Sequence, residues 1–344
     1  MERTLRPNIY AVAERAGVSI ATVSRVQNAK DVVAPETRDR VLRAIEELRY
    51  WPNATGRALA QQRQDASGIV FRDLSGPYFS ELITGCEERV AAAGQSLLIL
   101  ATHGSERAAE LVFDLVGRVD GLIVLGFTVE DDVVRELDRL GIPLVLLARK
   151  PVDDVPAVRA ENVEAAARVA NHLFGGGHDA ITFVGDPDSG SDFAERWEGF
   201  VDAHRRAGRP APAPPVAVGS DEHEGHLAAA RLLRAPGRAS AFMCASDQIA
   251  LGVLAAADEA GVRVPEDLAV TGWDDIEVAR YVSPALTTVR QPTKLLGARA
   301  AELLFERIRS VSVPSSEQLS TELVIRASCG SAQLGRSSTG GGTS

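Results

Sequence analysis

From residue 67 onward the chain alternates short apolar runs with stretches of about ten to eighteen residues that have helical periodicity. Strands separated by helices of this length cannot form hairpins, so they lie parallel in a sheet that helices cover on both faces. The alternation restarts after Val158, which predicts two similar α/β halves. The predicted strands are 68–71, 96–100, 121–125, 143–147, 181–184, a strand near 216, 240–244 and 268–272, and the helices of the second half are 163–173, 193–207, 224–233 and 247–260.

The first 28 residues have a different pattern, typical of two short helices joined by a tight turn. Asn8 and Ser19 are suitable N-caps for the two helices, and Gly17 lies where the chain reverses and a positive φ is needed. Val23 and Val26 lie three residues apart and face inward on the second helix. The segment therefore predicts a helix-turn-helix.

The outward face of the second helix carries Ile20, Ala21, Thr22, Ser24 and Arg25. Small side chains permit close approach to base edges, an arginine can chelate a guanine edge, and hydroxyl groups can reach phosphates. This face suits a helix that enters a major groove. The alternative is a simple pair of alanine-rich helices around a glycine, which binds nothing.

A third amphipathic helix is predicted over residues 36–49, and its expected buried face is Val41, Leu42, Ile45 and Leu48. The segment after it, YWPNATGRALA at 50–60, combines a proline, an N-capping Asn53 and a short helix-forming stretch that ends in an exposed Leu59. Such a segment is unusual for an ordinary linker, and it weighs against the helical pair without function.

The block AGVSIATVSRV, followed by Asn28, by TRDRVLRAIEELRYWPN and by Arg57-x-Leu59, resembles the LacI/GalR (lactose-repressor) family of transcription regulators in order and spacing. The resemblance implies that Ile20 and Ala21 read bases, and that Leu59 of a hinge helix is inserted into the minor groove. The alternative for Leu59 is packing against the following domain. Ala11 departs from the family, which often has Asp there. By the same resemblance the remaining DNA-binding residues are Tyr10, Thr22, Ser24, Arg25, Asn28, Thr37 and Asn53.

The domain organisation follows from these patterns and from the two-lobed periplasmic-binding-protein-like fold that the resemblance implies. An all-α helix-turn-helix domain occupies residues 1–52, and a hinge helix with its linker occupies 53–65. An α/β effector-binding and dimerisation domain with two parallel sheets occupies 66–332. Its N-lobe is expected at about 66–159 plus 290–318, and its C-lobe at about 160–289 plus 319–332. The Ser- and Gly-rich tail at 333–344 is predicted to be disordered.

Charge is divided along the chain in the same way. Residues 1–64 contain eleven Lys and Arg against seven Asp and Glu, whereas the whole chain has a net charge of −10. The remainder therefore carries −14, and a basic head on an acidic body directs DNA to one face. A solvated imbalance without function is the alternative. No apolar segment is long enough to span a bilayer and the N-terminus does not read as a signal peptide, so a cytoplasmic location is expected, with no membrane partner.

The predicted ligand lies between the two lobes, at the carboxyl ends of the strands. Aromatic rings can stack on a sugar face, and carboxylates accept hydrogen bonds from hydroxyl groups. The resemblance makes Arg196 a ligand-binding arginine and gives Asp274 the corresponding acidic position. The candidate ligand-binding residues are Asp73, Tyr78, Phe79, Arg196, Ser246, Asp247 and Asp274.

Simpler roles are open for several of these residues. Asp247 and Asp274 each come just before or at a helix start and are also suitable as N-caps, and Tyr78 and Phe79 are also suitable as core residues. The chain departs from the family at Ser246-Asp247, where Asn-Asp is common, and at Arg149, where Asp is frequent. It departs further at Glu161-Asn162, where Asp-Asn is usual, and at Gly219-Ser220, which replace an acid and an aromatic. The predicted pocket differs from the family pattern at these positions, so the sugar that a known member binds is not assigned to this chain.

An enzyme is the rival class. His223-Glu224-Gly225-His226 has His-x-x-His spacing rather than the i, i+4 spacing of a helical zinc site, and a solvated helix start explains it. Asp274-Asp275 lacks a partnering nucleophile, and no G-x-S-x-G, P-loop or G-x-G-x-x-G motif is found. The cysteines, Cys86, Cys244 and Cys329, have no Cys-x-x-Cys spacing and are expected to be buried. No catalytic residue, metal or cofactor is therefore predicted.

These patterns predict a sequence-specific repressor that binds pseudo-palindromic double-stranded operator DNA as a homodimer, under the control of a small ligand, expected to be a carbohydrate. The alternative is a cytoplasmic sugar-binding or sugar-processing protein without a transcriptional role. A transport protein is disfavoured by the head and by the missing signal peptide. Among relatives, release from DNA by the ligand (induction) is more common than co-repression. The residues of this chain do not indicate which of the two effects its ligand has. No leucine-heptad extension follows the α/β domain, so a tetramer formed through a C-terminal helix bundle is not expected.

Overall fold

The computed structural model describes residues 7–28, 33–51 and 63–330. The chain divides into two compact units with the boundary after Asp65. The first unit is helical, as predicted, and contains α1 (Ile9–Ala16), α2 (Ile20–Asn28) and α3 (Pro35–Glu47). The hinge helix expected within 53–60 and the tail at 333–344 lie outside the described residues.

The head has an apolar core of its own, in which Val12, Val23 and Val41 are completely buried. Ala44 completes the inner face of α3. The prediction that Leu42 is buried was wrong, because its side chain is 45% exposed. Successive helical residues are about 100° apart, so a face set by Val41 and Ala44 turns Leu42 toward solvent.

The second unit contains two sheets, and the larger one forms the N-lobe. Its six strands are all parallel. Helices α4 (Pro77–Ala92), α5 (Ala108–Val116), α6 (Asp131–Arg139) and α11 (Thr293–Ile308) accompany it. The strands are β1 (Ala66–Phe71), β2 (Ser96–Ala101), β3 (Gly121–Leu125), β4 (Leu144–Leu147), β5 (Ala157–Ala160) and β10 (Ser316–Leu319), in the spatial order β10-β5-β4-β3-β1-β2.

The N-lobe sheet buries both of its faces. Ile123 and Val145 belong to one apolar cluster, whereas Leu122 and Leu144 belong to the cluster on the opposite face. Neighbouring residues of a strand point to opposite faces, and a parallel sheet between helices needs apolar side chains on both. This requirement explains why the central strands are continuous apolar runs.

The C-lobe contains a second parallel sheet, of β6 (Ile181–Val184), β7 (Ala241–Cys244) and β8 (Ala269–Thr271). Single parallel bridges add Val216 beside Val184 and Thr287 beside Thr271. The strand predicted near 216 is therefore only one bridge long. The helices are α7 (Val163–Gly175), α8 (Ser191–Arg206), α9 (Glu222–Leu232) and α10 (Asp247–Glu259).

The chain crosses between the lobes at three places. It leaves the N-lobe after β5, returns to it after β9 (Thr288–Arg290), and leaves again between β10 and β11 (Glu322–Val324). Strands β9 and β11 pair antiparallel, with Val289 opposite Leu323. Because two crossings start at the carboxyl ends of N-lobe strands, those ends face the C-lobe.

The predicted fold class is confirmed. The eleven helices and the parallel strands of the described ranges form a helical head followed by a two-sheet α/β domain. The sequence did not predict the short strands β5, β9, β10 and β11. Cys86, Cys244 and Cys329 are buried thiols, as predicted. Among the described residues, no helix has the length and apolar character that a membrane span requires.

Candidate functional site

The turn between the first two helices is built by local hydrogen bonds. The side chain of Asn8 accepts a hydrogen bond from the backbone N–H of Ala11 at 3.0 Å, and Ser19 Oγ accepts one from the N–H of Thr22 at 3.2 Å. Gly17 ends α1 in the left-handed conformation, with φ of 63°. These contacts confirm the two predicted N-caps and the glycine turn.

The outward face of α2 is exposed at Ile20, Ala21 and Arg25. Val23 and Val26 are buried, as predicted, and they fix the orientation of the helix. Tyr10 on α1 is 67% exposed. The remaining candidate DNA-binding residues on the head, Ile20, Ala21, Thr22, Ser24, Arg25 and Thr37, are exposed or half-buried.

The structure describes no side chain for three of the candidate DNA-binding residues. Asn28 is the last residue of α2, and only its backbone is described. Asn53 and Leu59 lie outside the described residues. Their roles stay predictions.

In the second unit, the two lobes touch at two places, and the region between these contacts is named the cleft. A Cβ added to Gly76 of the N-lobe would lie 2.1 Å from Oε1 of Gln248 at the start of α10. Glu195 of α8 accepts a hydrogen bond from Arg159 of β5 at 2.9 Å and lies 3.9 Å from Nζ of Lys150. The lobes are therefore in contact at the ends of β1, β4 and β5.

Arg196 lies at the centre of the polar residues in this cleft. Its guanidinium is buried, and it donates to Oδ1 of Asn162 at 3.0 Å and to the carbonyl oxygen of Ala245 at 2.6 Å. The guanidinium carbon lies 4.6 Å from the ring centroid of Trp273. Ring stacking and two hydrogen bonds hold the charge in one orientation.

Two carboxyl groups accompany this guanidinium. Asp192 lies 3.7 Å from Arg196 and accepts a hydrogen bond from Asn162 at 3.1 Å. Asp274 accepts one from Nε2 of Gln291 at 2.6 Å. Burial raises the pKa of each carboxyl group to about 6, although the charge of Arg196 opposes the shift in both. A carboxylate can accept about four hydrogen bonds, so these contacts leave both groups with acceptor capacity.

Tyr78 contributes a phenol from the opposite lobe. Its hydroxyl is buried without a hydrogen-bond partner in the described part of the chain. Burial raises its pKa well above the usual value, and the negative charges of Asp192 and Asp274 raise it further. A buried hydroxyl without a partner costs free energy, so this group is suited to meet a polar ligand.

Phe79, the neighbour of Tyr78, packs into the N-lobe core. Its ring is edge-on to that of Phe71, with 5.7 Å between centroids, and it borders the apolar cluster beneath α4. The core alternative thus explains Phe79 without a ligand, whereas Tyr78 faces the acidic pair.

Asp73 shapes its own loop. Its Oδ1 accepts hydrogen bonds from the N–H groups of Leu74 at 2.6 Å and of Ser75 at 3.1 Å. This arrangement is an Asx turn that leads into α4. The predicted ligand role of Asp73 has no support from its contacts.

The residues at the start of α10 are structural. Ser246 is the N-cap and accepts a hydrogen bond from the N–H of Ile249 at 3.2 Å, so the interpretation of Asp247 as the cap was wrong. Asp247 is fully buried, accepting from Oγ1 of Thr288 at 2.6 Å and from the N–H of Ile276 at 2.9 Å. Its carboxylate joins the C-lobe helix to the crossing strand β9.

The N-cap interpretation of Asp274 was also wrong, because the nearby 3₁₀ helix (Glu277–Arg280) begins after Ile276. The next residue, Asp275, is occupied by ion pairs with Arg290 at 2.7 Å and with Arg326. Only the first of the two adjacent aspartates therefore belongs to the Arg196 cluster.

Arg149 is directed into the N-lobe. It is completely buried and donates to the carbonyl oxygens of Gly126 at 2.8 Å and Val129 at 3.0 Å, and it pairs with Asp131. This guanidinium fixes the loop after β3 instead of reaching toward Arg196.

Sequence reasoning missed Asp192, Gln291 and Trp273 as members of the cluster. Asp192 lies in the first turn of α8, four residues before Arg196 and hence on the same helical face. That spacing was a usable signal for Asp192. Gln291 comes from a crossing segment, and nothing local in the sequence indicates its contact with Asp274.

Comparison with known proteins gives a family match in each of the two units. Residues 8–53 match the model of bacterial regulatory proteins of the lacI family, and residues 170–329 match a periplasmic binding protein-like domain. The HTH-type transcriptional regulator CelR of Thermobifida fusca is 34% identical over 340 residues, which cover 95% of this chain and 100% of CelR.

The chain belongs to the LacI family. The HTH-type transcriptional repressor PurR of Photobacterium profundum is another relative, 33% identical over 93% of this chain and 98% of its own length. Members of the family with known structures share the fold. A Lac repressor dimer bound to operator superposes with a TM-score of 0.85 at 26% identity, covering 94% of this chain and 99% of that one.

A second LacI-family structure is a CelR–cellobiose complex. It matches with a TM-score of 0.71 and 32% identity, covering 94% of this chain and 100% of the CelR chain. The two-lobed α/β architecture is thus shared with a relative whose structure contains a disaccharide.

Proposed function

We propose that this LacI-family protein is a transcriptional repressor that binds a pseudo-palindromic operator as a homodimer and is released from it by a carbohydrate. The observation that carries the proposal is the presence in one chain of an exposed helix-turn-helix face and a separate polar cleft. A relative bound to operator and a relative bound to cellobiose support the two halves.

The cleft is suited to a polyhydroxylated ligand. Arg196 supplies fixed donors, Asp192 and Asp274 supply acceptors, and the Tyr78 hydroxyl can donate or accept. Trp273 and Phe193 flank the guanidinium, with ring centroids at 4.6 Å and 5.3 Å. A few convergent polar groups beside aromatic rings are typical of small-molecule sites.

A homodimer is expected because specific DNA binding needs more affinity than one head supplies. One head offers few phosphate contacts, whereas a two-fold pair of heads reads two half-sites and doubles the salt-dependent part of the binding free energy. The alternative function, a sugar-binding protein without a transcriptional role, does not explain the exposed face of Ile20, Ala21 and Arg25.

Catalysis is the less suitable function. His226 of the His-x-x-His segment is bound to Glu259, with 2.9 Å between Nε2 and Oε2. Asp275 is held by arginines, and no cluster of metal-ligating side chains occurs in the described ranges. We propose a binding role for the cleft.

Control by the ligand follows from linkage. A sugar that binds one arrangement of the lobes more tightly shifts the protein toward that arrangement, and it changes operator affinity by the ratio of its two affinities. The hinge helix predicted within 53–60, too short to be stable alone, is the expected responder. This part of the mechanism stays a prediction.

The test of DNA recognition uses genomic fragments retained by the purified full-length protein. Arg25→Ala is expected to abolish specific retention and to spare sugar binding, because Arg25 reads a base edge. Arg43→Ala is the matched control, since Arg43 is an exposed arginine of α3 outside the predicted DNA-binding residues. Equal losses in both variants, or no loss in Arg25→Ala, would contradict the assignment.

A further inference from the structure

A cavity of about 310 Å³ lies at the end of the C-lobe opposite to the cleft. It is lined by the first residues of β6, by residues just before β6 and β7, by His204 of α8 and by the segment 209–213. Parallel strands all begin at one end of their sheet, whereas the Arg196 cluster lies at the carboxyl ends. His204 comes eight positions after Arg196 on α8, which is roughly 12 Å along the helix axis. The cavity is therefore separate from the cleft.

The first residue of β6 directs its backbone groups into this cavity. The carbonyl oxygens of Ala180 and Val184 accept hydrogen bonds from residues that flank β7, at 3.0 Å and 2.8 Å. The carbonyl oxygen of Phe183 accepts one from the N–H of Val216 on the other side, at 2.9 Å. Successive residues of a strand alternate in this direction, so the N–H and the carbonyl oxygen of Ile181 point away from β7, on the side of the cavity that Ile181 lines.

The segment that faces this edge of β6 is rich in proline. Residues 210–215 read Pro-Ala-Pro-Ala-Pro-Pro. Proline has a fixed φ and no N–H, so the segment cannot continue the sheet, and it reaches β6 only through the single bridge of Val216 to Val184. The structure describes residues 209–215 in full, and none of them has a backbone hydrogen bond to Ile181. One backbone donor and one backbone acceptor are therefore available to a ligand.

Two side chains of opposite charge also line the cavity. Arg209 donates from Nη1 to Oδ1 of Asp179 at 2.6 Å, and its guanidinium carbon lies 4.2 Å from the ring centroid of Phe174. The ring fixes the guanidinium plane, and within the described ranges Nε and Nη2 make no hydrogen bond. Asp179 is 85% exposed, and its second carboxylate oxygen can accept from a ligand.

His204 forms the buried wall of the cavity. Its side chain is 5% exposed, and Nδ1 donates to the carbonyl oxygen of Phe200 at 3.0 Å. In the neutral ring this bond leaves Nε2 as an acceptor. The imidazole is edge-on to Phe174 and to Phe200, with 4.9 Å and 4.5 Å between centroids. The two aromatic rings therefore hold the imidazole in place before any ligand arrives.

The geometry points to this cavity as a second ligand site, for a zwitterionic α-amino acid, independent of the carbohydrate cleft. Arg209 and the N–H of Ile181 suit the ligand carboxylate. Asp179, the carbonyl oxygen of Ile181 and Nε2 of His204 suit the ammonium group. A ligand with a single charge meets a like charge on Asp179 or Arg209, which disfavours simple acids and amines. A cavity of about 150 Å³ holds benzene, so the larger volume here has room for an apolar amino acid.

The test is calorimetry of the full-length protein with apolar L-amino acids and with analogues that keep one charge. L-Leucine is compared with isocaproate and isoamylamine, and L-phenylalanine with hydrocinnamate and phenethylamine. The site variants are Asp179→Asn and Arg209→Gln. Arg263→Gln is the matched control, because Arg263 is another arginine of the C-lobe that pairs with an aspartate, Asp267, at 2.8 Å, and it does not line the cavity. Arg196→Lys reports an amino acid that binds in the cleft instead.

We expect one of these amino acids to bind with a Kd of about 1 mM or tighter, and its analogues to bind about tenfold more weakly or worse. Asp179→Asn and Arg209→Gln should each weaken the amino acid by about fivefold to tenfold, whereas Arg263→Gln and Arg196→Lys keep wild-type affinity. Absence of binding by both amino acids, equal binding of an analogue, or full affinity in either site variant would overturn the site. Loss of binding in Arg196→Lys would place the amino acid in the cleft and overturn it too.

Discussion

At the scale of single residues, the cleft combines one fixed cation with two carboxyl groups. Arg196 is saturated on one side by Asn162 and the carbonyl of Ala245, so its position does not depend on a ligand. Asp192 and Asp274 have their pKa raised to about 6 by burial. The free protein keeps these acids in the cleft at a cost that a hydroxyl-bearing ligand can offset.

This cost predicts a pH dependence of stability. In the unfolded chain an aspartate has a pKa near 3.9, so between about pH 4 and pH 6 the folded state binds more protons. The free energy of unfolding contributed by the pair therefore falls as pH rises through that window and stays lowered above it. The free energy of unfolding of Asp192→Asn should exceed that of wild type by on the order of 1 kcal/mol at pH 7.5, and the two should be equal at pH 4.

Urea denaturation at both pH values measures this difference. Asp188→Asn is the matched control, because Asp188 is an exposed acid of the same segment. A gain of equal size at both pH values would show that burial of the charge is not its cause.

The guanidinium geometry gives a second prediction at this scale. Arg196→Lys keeps the charge but removes the planar set of donors, so sugar affinity should fall by about tenfold or more while operator binding remains. Arg231→Lys, on the exposed face of α9, should change neither. Calorimetry with the tightest-binding sugar measures the first effect, and fluorescence anisotropy of labelled operator measures the second. Unchanged sugar affinity in Arg196→Lys would remove Arg196 from the binding site.

Arg196 and Tyr78 were predictable because they follow strand ends or match a family position. The same reasoning placed Asp73 and Asp247 in the site, yet their carboxylates bind Leu74, Ser75, Thr288 and Ile276. Position after a strand does not determine where a side chain points, and backbone N–H groups nearby compete with any ligand.

At the scale of elements, the head depends on the turn between α1 and α2. Gly17 has φ of 63°, a conformation that costs other residues about 1 kcal/mol or more. Gly17→Ala should lower the stability of the head by about 1 kcal/mol and weaken operator binding, because α2 is positioned through this turn. Hydrogen exchange of the α1 and α2 amides measures the local stability.

Gly190→Ala is the control for this substitution. Gly190 has an extended φ of 178°, and no atom lies within 4 Å of an added Cβ. Faster exchange in both variants, or in neither, would contradict the role of the Gly17 turn.

Elements with strong local patterns were predictable, and elements that depend on distant partners were not. The predicted strand 121–125 coincides with β3, because its continuous apolar run satisfies a sheet buried on both faces. Strand β10 (Ser316–Leu319) is polar and short, and it exists through pairing with β5 some 160 positions earlier. No local propensity encodes such a contact.

At the scale of the whole molecule, the two units separate their functions within one chain. The basic residues of the first 64 positions and the acidic remainder, with net charges of +4 and −14, favour DNA contact at the head alone. Operator affinity should therefore fall steeply with salt, whereas sugar affinity should stay salt-independent. Titrations at two salt concentrations measure both slopes, and a salt-independent operator affinity would contradict phosphate-driven binding.

The central claim is that one small ligand in the cleft controls DNA binding at the head. The measurement that tests it most directly is a fluorescence anisotropy titration of a selected operator with the full-length protein, with and without each of a panel of monosaccharides and disaccharides. The account predicts that one sugar raises the operator Kd by about fivefold or more in wild type and has no such effect in Arg196→Lys. Unchanged operator Kd with every sugar, although one of them binds the cleft, would contradict it.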